Sequence, residues 1–390
     1  MMIKYLFLPM ILIPSLVLAA ETLADITGTG LKVAPKVAVN YKYDNNIANS
    51  NDNQRASNLI EVIPKLNLIG ERGSSQFALA YKLEQGLYAE DSDSNYTDHT
   101  LKAYLNSDIN NRNNINFMYQ FGIAHDDANT GIAEGNENIT EPSVYYTNNV
   151  ALSYTYGTAA ASARIKPNIG FNNKYYDEDN LDYSDVADFS EYNYGITFYY
   201  AAAATLDVLF EVSNTSSSYD NASNPLDNDD ILAYTGITWD ISGKTQGTAK
   251  VGYEKVNYAN ASRDDISAPS WDIGLGWSPK TYSTFNLSVT QYIEGSASGQ
   301  ESVSTNNQAL TWQHDWRHNL TSLLAYTHLD EEFQQSNRED ETNTLNVNLT
   351  YQLRTWLKLG ASYEFIDKSS SINNLAYDKN IYGLTSQFIF

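Results

Sequence analysis

The feature that most constrains this chain is a strict alternation of apolar and polar residues, plainest at the end of the sequence. Tyr382, Leu384, Phe388 and Phe390 share one parity, and Gly383, Thr385 and Gln387 share the other. A strand sends the two sets to opposite faces. One face is then aromatic and greasy, the other small and polar. In a bilayer every backbone amide must be paired within the protein. The pattern therefore fits a closing strand of a barrel, apolar toward lipid and polar toward a lumen.

The same parity runs through most of the chain. Val33, Val37, Val39, Tyr41 and Tyr43 alternate with Lys32, Lys36, Asn40 and Lys42. Ile60, Val62, Pro64, Leu66 and Leu68 alternate with Glu61, Lys65 and Asn67, and Phe77, Leu79, Tyr81 and Leu83 with Gln76, Lys82 and Glu84. Two segments, 101–105 and 320–329, have ambiguous parity. Connections alternate in length. Short ones carry turn residues, such as Gly70-Glu71-Arg72-Gly73 and Ser278-Pro279-Lys280, and long ones are polar and acidic, such as 44–57, 126–141 and 177–188. The sequence thus predicts an all-β, transmembrane, antiparallel up-and-down barrel of about 18 strands, with short periplasmic turns and long extracellular loops. Pro35, Pro64 and Pro167 fall inside expected strands, where bulges would absorb the missing amide protons.

The start of the chain agrees. Lys4 precedes an apolar stretch, Tyr5 to Leu18, and Ala19-Ala20 offers a small-residue cleavage site before Glu21. Residues 1–20 read as a cleaved secretory signal peptide, 21–30 as a short periplasmic segment and 31–390 as the barrel, placed in a bacterial outer membrane. Absence of Cys removes disulfides and thiolate chemistry. The 30 Tyr and 6 Trp suit aromatic girdles. A net charge of -23 argues against a nucleic-acid partner.

The inward parity carries the functional information. Its basic members are Lys32, Lys36, Lys42, Lys65, Lys82, Lys102, Arg164, Lys166 and Lys174. Its acidic members come later: Glu191, Asp207, Glu211, Asp240, Glu254, Asp272 and Glu294, with Lys250 among them. Closed into a barrel, these runs become a basic and an acidic wall across a wet pore, because a dry core does not hold so many charges. Tyr104, Tyr145, Tyr199, Tyr234 and Tyr292 add aromatic faces on which sugar rings stack, and inward Asn residues add partners for hydroxyls. Inward glycines, Gly236 and Gly252 among them, would leave open space. A polar interior that merely salt-bridges across itself is the plainer alternative.

Other chemistry is thin. Asp91, Asp93, Asp177, Glu178, Asp179, Asp227, Asp229 and Asp230 place carboxylates in loops, where Ca²⁺ or lipopolysaccharide bridging is conceivable, but none has EF-hand spacing and solvated loops are the simpler reading. His314 and His318 flank an expected turn beside Trp312, Trp316 and Arg317, without the spacing of a metal site. No GxSxG elbow occurs. We therefore expect no enzyme, no metal and no cofactor.

The segment Asn58-Leu59-Ile60-Glu61-Val62-Ile63-Pro64-Lys65-Leu66-Asn67-Leu68, the Tyr-rich hairpin at Gln76–Tyr81 and the aromatic end together resemble the Putative beta-barrel porin 2 family. Tyr382, Phe388 and Phe390 resemble the C-terminal insertion signal that the barrel-assembly machinery reads. The resemblance implies a channel without catalytic residues, often tied to export of an exopolysaccharide or capsule. There a periplasmic polysaccharide-export lipoprotein joins outer-membrane lipid and lipopolysaccharide as a partner. A polysaccharide conduit is the leading expectation. A general or anion-preferring diffusion porin, and a structural or adhesive barrel without transport, stand beside it.

Overall fold

The computed structural model describes residues 24–25, 30–136, 139–158, 160–177, 187–220, 226–241, 243–299, 301–317 and 319–390. The expected signal peptide, Glu178, Asp179 and His318 lie outside the described residues. The strands are β1 (Ala24–Asp25), β2 (Leu31–Asp44), β3 (Ser57–Arg72), β4 (Ser75–Tyr88), β5 (Tyr96–Asn110), β6 (Asn113–Asp126), β7 (Ser143–Tyr156), β8 (Ala163–Tyr176) and β9 (Phe189–Ala203). They continue with β10 (Leu206–Tyr219), β11 (Asn228–Ile241), β12 (Thr245–Tyr258), β13 (Ile266–Lys280), β14 (Ser283–Gly295), β15 (Ser302–Arg317), β16 (Leu320–Phe333), β17 (Glu339–Arg354), β18 (Leu357–Ser370) and β19 (Tyr377–Ile389).

From β2 onward each strand pairs antiparallel with the next, and β19 returns to β2 with Gln387 opposite Ala38, so β2 to β19 close an 18-stranded barrel. β1 pairs with β2 at Ala24 opposite Val33, just past the last β19–β2 pair, Ile389 opposite Lys36. Strands meet in two-residue turns at one end, such as 73–74, 281–282 and 355–356, and in long loops at the other. The strands run further than their apolar cores suggested, because backbone pairing continues past the bilayer into the turn residues.

Parity places the apolar set outside. Tyr382 and Leu384 are exposed to the bilayer side, as are Leu349, Val251, Phe210 and Ile169, while Gly383, Thr385 and Gln387 pair with lumen-facing partners on β18. Aromatics gather at both rims, as amphipathic rings do at bilayer interfaces. Near the short turns, Trp277 stacks on Phe285 at 5.3 Å, Phe285 on Trp312 at 5.9 Å and Trp356 on Phe388 at 6.4 Å. Toward the long loops, Tyr146 stacks on Tyr175 at 5.0 Å and Tyr363 meets Tyr382 at 5.1 Å. His314 belongs to the aromatic belt at the short-turn end, 4.4 Å from Trp316 by ring centroids.

The prolines do not produce bulges. Register shifts occur beside the short turns, between Asp108 and Asn110, Leu206 and Asp207, Trp277 and Lys280, Asp315 and Arg317, and Gln352 and Arg354. At Pro64 the β3–β4 ladder stops at Val62 opposite Gln85 and resumes in the same register at Lys65 opposite Lys82. At Pro167 the β7–β8 ladder breaks off at Ser153 opposite Asn168 and resumes at Tyr156 opposite Ile165, again without a shift. The missing amide proton is accommodated by dropping pairs rather than by inserting a residue.

Candidate functional site

The register puts the charges singled out in the sequence on the lumen side. Lys32, Lys36 and Lys42 lie on β2, Lys65 on β3, Lys82 on β4, Lys102 on β5, and Arg164, Lys166 and Lys174 on β8. On the opposing arc Glu191 comes from β9, Asp207 and Glu211 from β10, Asp240 from β11, Glu254 from β12, Asp272 from β13 and Glu294 from β14. Lys32 and Asp240 lie exposed toward the short-turn end.

These arcs are stitched locally, not held apart as bare walls. Lys250, 1% exposed, reaches Asp272 at 2.9 Å and Glu211 at 3.4 Å. Arg164 meets Asp207 at 2.5 Å, Lys42 meets Glu61 at 2.6 Å and Lys82 meets Glu84 at 2.8 Å. Lys174 stands 3.6 Å from Asp126.

The inward tyrosines are engaged in the same network. Lys174 lies 3.9 Å from the Tyr145 ring centre, Lys250 4.8 Å from that of Tyr234 and the Arg164 guanidinium 5.3 Å from that of Tyr199. One face of each ring is thus taken by a cation of the barrel itself. Tyr104 shares a hydrogen bond with Asn116, and Tyr292 is buried. Gly252 does not leave a void: a methyl there would lie 2.7 Å from Tyr234 Cδ1. At Gly236 a methyl would fall 2.3 Å from the Ala249 carbonyl oxygen, so both glycines serve close packing.

The long loops were expected to be solvated, yet two of them fold into the mouth. In the loop 45–56, Asn46 and Asn49 are buried, and Asn46 Nδ2 donates to the Asp378 carbonyl at 2.8 Å. In the loop 127–142, Ala128, Asn129, Ile132 and Ala133 are buried. The loops clasp each other through Asn49 Nδ2 to the Ala128 carbonyl at 2.9 Å and Asn129 Nδ2 to the Asn49 carbonyl at 2.7 Å. Both asparagines have positive φ, a conformation that Asn tolerates better than most residues. Ile132 packs against Tyr176 and Ala187. The far end is pinned by charge: Glu134 accepts from Arg338 at 2.8 Å and from Lys368 at 2.6 Å, and both cations also pair with Asp340.

Burial alone would raise the Glu134 pKa. The Arg338 hydrogen bond and the charges of Lys368 and Arg338 outweigh it and hold the carboxyl below its ordinary range. Asp91 and Asp227, offered above as cation ligands, are used by the protein itself: Asp91 pairs with Arg55, and Asp227 accepts the Tyr219 amide at 2.7 Å.

A third element narrows the lumen. β13 and β14 pair only as far as Trp271 opposite Gln291, although β13 stays paired to β12 and β14 to β15 beyond that point. Pro269, on the separating stretch of β13, has no amide proton to offer. The freed end of β14 turns inward. Ile293, 1% exposed, packs with Phe189, Tyr219, Leu226, Val256 and Tyr258, and its amide donates to Glu254 at 3.2 Å.

Between β4 to β10 and the inward end of β14 lies a chamber of about 290 Å³. Lys82, Lys174, Glu191 and Glu294 bring charges of both signs to it, and Gln120, Asn149, Asn172 and Asn228 supply amides. Sequence reasoning singled out these charges by parity. It missed the lid contacts of Glu134, whose only local signal is the apolar Ile132-Ala133 in a polar loop.

The model of the family described as Putative beta-barrel porin 2 matches residues 29–388. The chain belongs to this family. It is an outer-membrane β-barrel porin. No curated protein matches it in sequence. Among solved structures the porin is similar to the outer membrane protein OpdK of Pseudomonas aeruginosa (10% identity, 92% of this chain and 99% of that one, TM-score 0.47). It is also similar to OccK2 of the same organism in complex with glucuronate (10%, 92% and 98%, TM-score 0.48), and to the FrpB iron transporter of Neisseria meningitidis (9%, 92% and 81%, TM-score 0.47).

Proposed function

We propose that this porin is a diffusion channel for small polar solutes, which pass singly through the lumen chamber. The observation that carries this reading is the modest free space in the lumen, about 290 Å³, in a barrel whose mouth also holds two clasped loops. That is at the lower end of the volumes in which proteins bind small molecules. The lining of amides, hydroxyls and charges of both signs suits a hydrated solute rather than an apolar one. A polysaccharide conduit, the use implied by the family resemblance, asks for a continuous bore. Here the lid and the β14 end would both have to withdraw first.

The test is solute uptake by proteoliposomes holding the full-length porin, with neutral sugars from one to six rings. Uptake that falls steeply after one or two rings is expected. Equal passage of the long oligosaccharides would favour the polymer conduit. No passage of any sugar and no ion conductance would favour a structural barrel.

A further inference from the structure

The strand registers reveal an order that side-chain parity alone does not. One unbroken row of paired residues starts at Lys36, opposite Lys65, which is opposite Lys82. From there it continues through Thr100, Gly122 and Thr147 to Lys174. Strands in a closed barrel are staggered, so a row perpendicular to them climbs as it crosses the wall. This one rises from the short-turn end, where Lys36 faces the last residues of β19, to the lid, where Lys174 lies beside Tyr176. Its upper part, from Lys82 to Lys174, lines the chamber.

Like charges in directly opposed positions of a sheet repel and destabilise it. Lys36, Lys65 and Lys82 nevertheless sit side by side. The row itself holds no carboxylate. Lys82 pairs with Glu84, whose charge also reaches Lys65; Lys65 itself, between two other lysines and exposed to the lumen, makes no direct ion pair among the described residues. One carboxylate, Glu84, thus faces the two lysines Lys65 and Lys82, and a solute anion there would lower their mutual repulsion.

The neighbouring row, one step along the lumen face, has a different chemistry. Lys102 is followed by Gln120, Asn149 and Asn172 and then by Glu191. Carboxamides present donors and acceptors together, which suits hydroxyl groups. The acids Glu191 and Glu294 also line the chamber, and a second negative charge on the solute would be repelled there.

We propose that the two rows form a ladder for a polyhydroxylated monocarboxylate. In the chamber the amide row takes the hydroxyls, and from there the carboxylate steps from Lys82 to Lys65 and Lys36. The inference rests on the channel reading above and names its substrate class. Several adjacent weak sites pass a solute better than one tight site, because each must also release it.

The experiment compares entry of glucose and gluconate into proteoliposomes, using the full-length porin and the double variant K65Q/K82Q. Assembly is monitored by the heat-dependent gel shift; K82Q alone serves as a second variant, and K255Q, an exposed lysine off the row, as control. The wild type is expected to pass gluconate several-fold faster than glucose. K65Q/K82Q should abolish that preference, read as the ratio of the two entry rates, and K255Q should match the wild type in both rates. The preference should also fade at about 1 M salt, where screening reaches about 3 Å. If glucose enters but gluconate has no advantage, or keeps it in the variants, the ladder is overturned and the channel stands. If neither solute enters through the wild type, the channel reading fails and the ladder with it.

Discussion

The amide of Ile293 donates to the Glu254 carboxylate at 3.2 Å, although the two residues lie on β14 and β12, with β13 between them in the barrel order. The contact exists because β14 leaves β13 above Gln291 and turns into the lumen. Glu254→Ala removes the acceptor, while Glu254→Gln keeps an oxygen there. We predict that E254A widens the pore and raises single-channel conductance, and that E254Q stays near the wild type. Equal conductance in all three proteins would mean that this hydrogen bond does not hold the constriction.

The lid is anchored at a distance. Glu134 meets Arg338 and Lys368, 204 and 234 residues away in sequence. Hydrogen bonds to charged groups contribute about 1.5–3 kcal/mol each. Glu134→Ala should therefore free the loop 127–142 by an energy of that order while Arg338 and Lys368 keep Asp340 as a partner. The expected result is faster protease cleavage within the loop and longer open times, with the barrel still resistant to heat and detergent. A loop that remains protected in E134A would show that the asparagine clasp alone suffices.

The same latch sets a pH dependence. Arg338 and Lys368 hold the Glu134 carboxyl below the ordinary carboxylate range, against the opposing effect of burial. A depressed carboxyl stabilises the closed lid fully above its free value, and the contribution is lost as pH falls through the depressed one. Conductance should hold steady between about pH 7 and about pH 5 and rise only at more acidic pH. In E134Q that acid step should be absent. An equal step in E134Q would assign the titration to another group.

Which features were legible in the sequence follows from how local each one is. The alternation along β19 is a property of thirteen consecutive residues, and it gives strand, face and polarity at once. β16 was ambiguous because Leu323 and Leu329 pair with lumen-facing Asn348 and Thr342, while His328 lies on the lipid-facing parity near the rim. Charge signs could be assigned to the lumen from parity alone. Their pairing could not, since Lys250 meets Asp272 only through the β12–β13 register. The lid was invisible for the same reason: nothing near Glu134 in sequence announces Arg338.

The last paired residues of the barrel yield a prediction about assembly. The Phe390 amide donates to the Pro35 carbonyl at 3.2 Å, and the Phe390 ring is exposed on the lipid side in line with Phe388 and Tyr382. Phe390→Ala leaves that backbone bond intact and removes only the ring. The assembled barrel should then be about as stable as the wild type, but its insertion slower, seen as less heat-modifiable protein after a short pulse of expression. Wild-type insertion kinetics in F390A would remove this ring from the insertion signal.

The sharpest test of the barrel's two faces lies on β17. Leu349 is 46% exposed on the lipid side, whereas Asn348 points inward, opposite Leu323 on β16 and Ser362 on β18. An arginine at position 349 places a charge in the apolar band, at a cost of about 2–4 kcal/mol if it lies near the bilayer midplane. An arginine at position 348 enters a wet lumen, where Glu364 lies two residues beyond Ser362 on the same face of the neighbouring strand. Leu349→Arg should therefore lower the denaturant midpoint of the folded barrel in lipid vesicles by an amount of that order, and Asn348→Arg should leave it nearly unchanged while shifting ion selectivity toward anions. Equal destabilisation by both substitutions would place the two residues in the same environment, and the parity assigned to β17 would have to be reversed or abandoned.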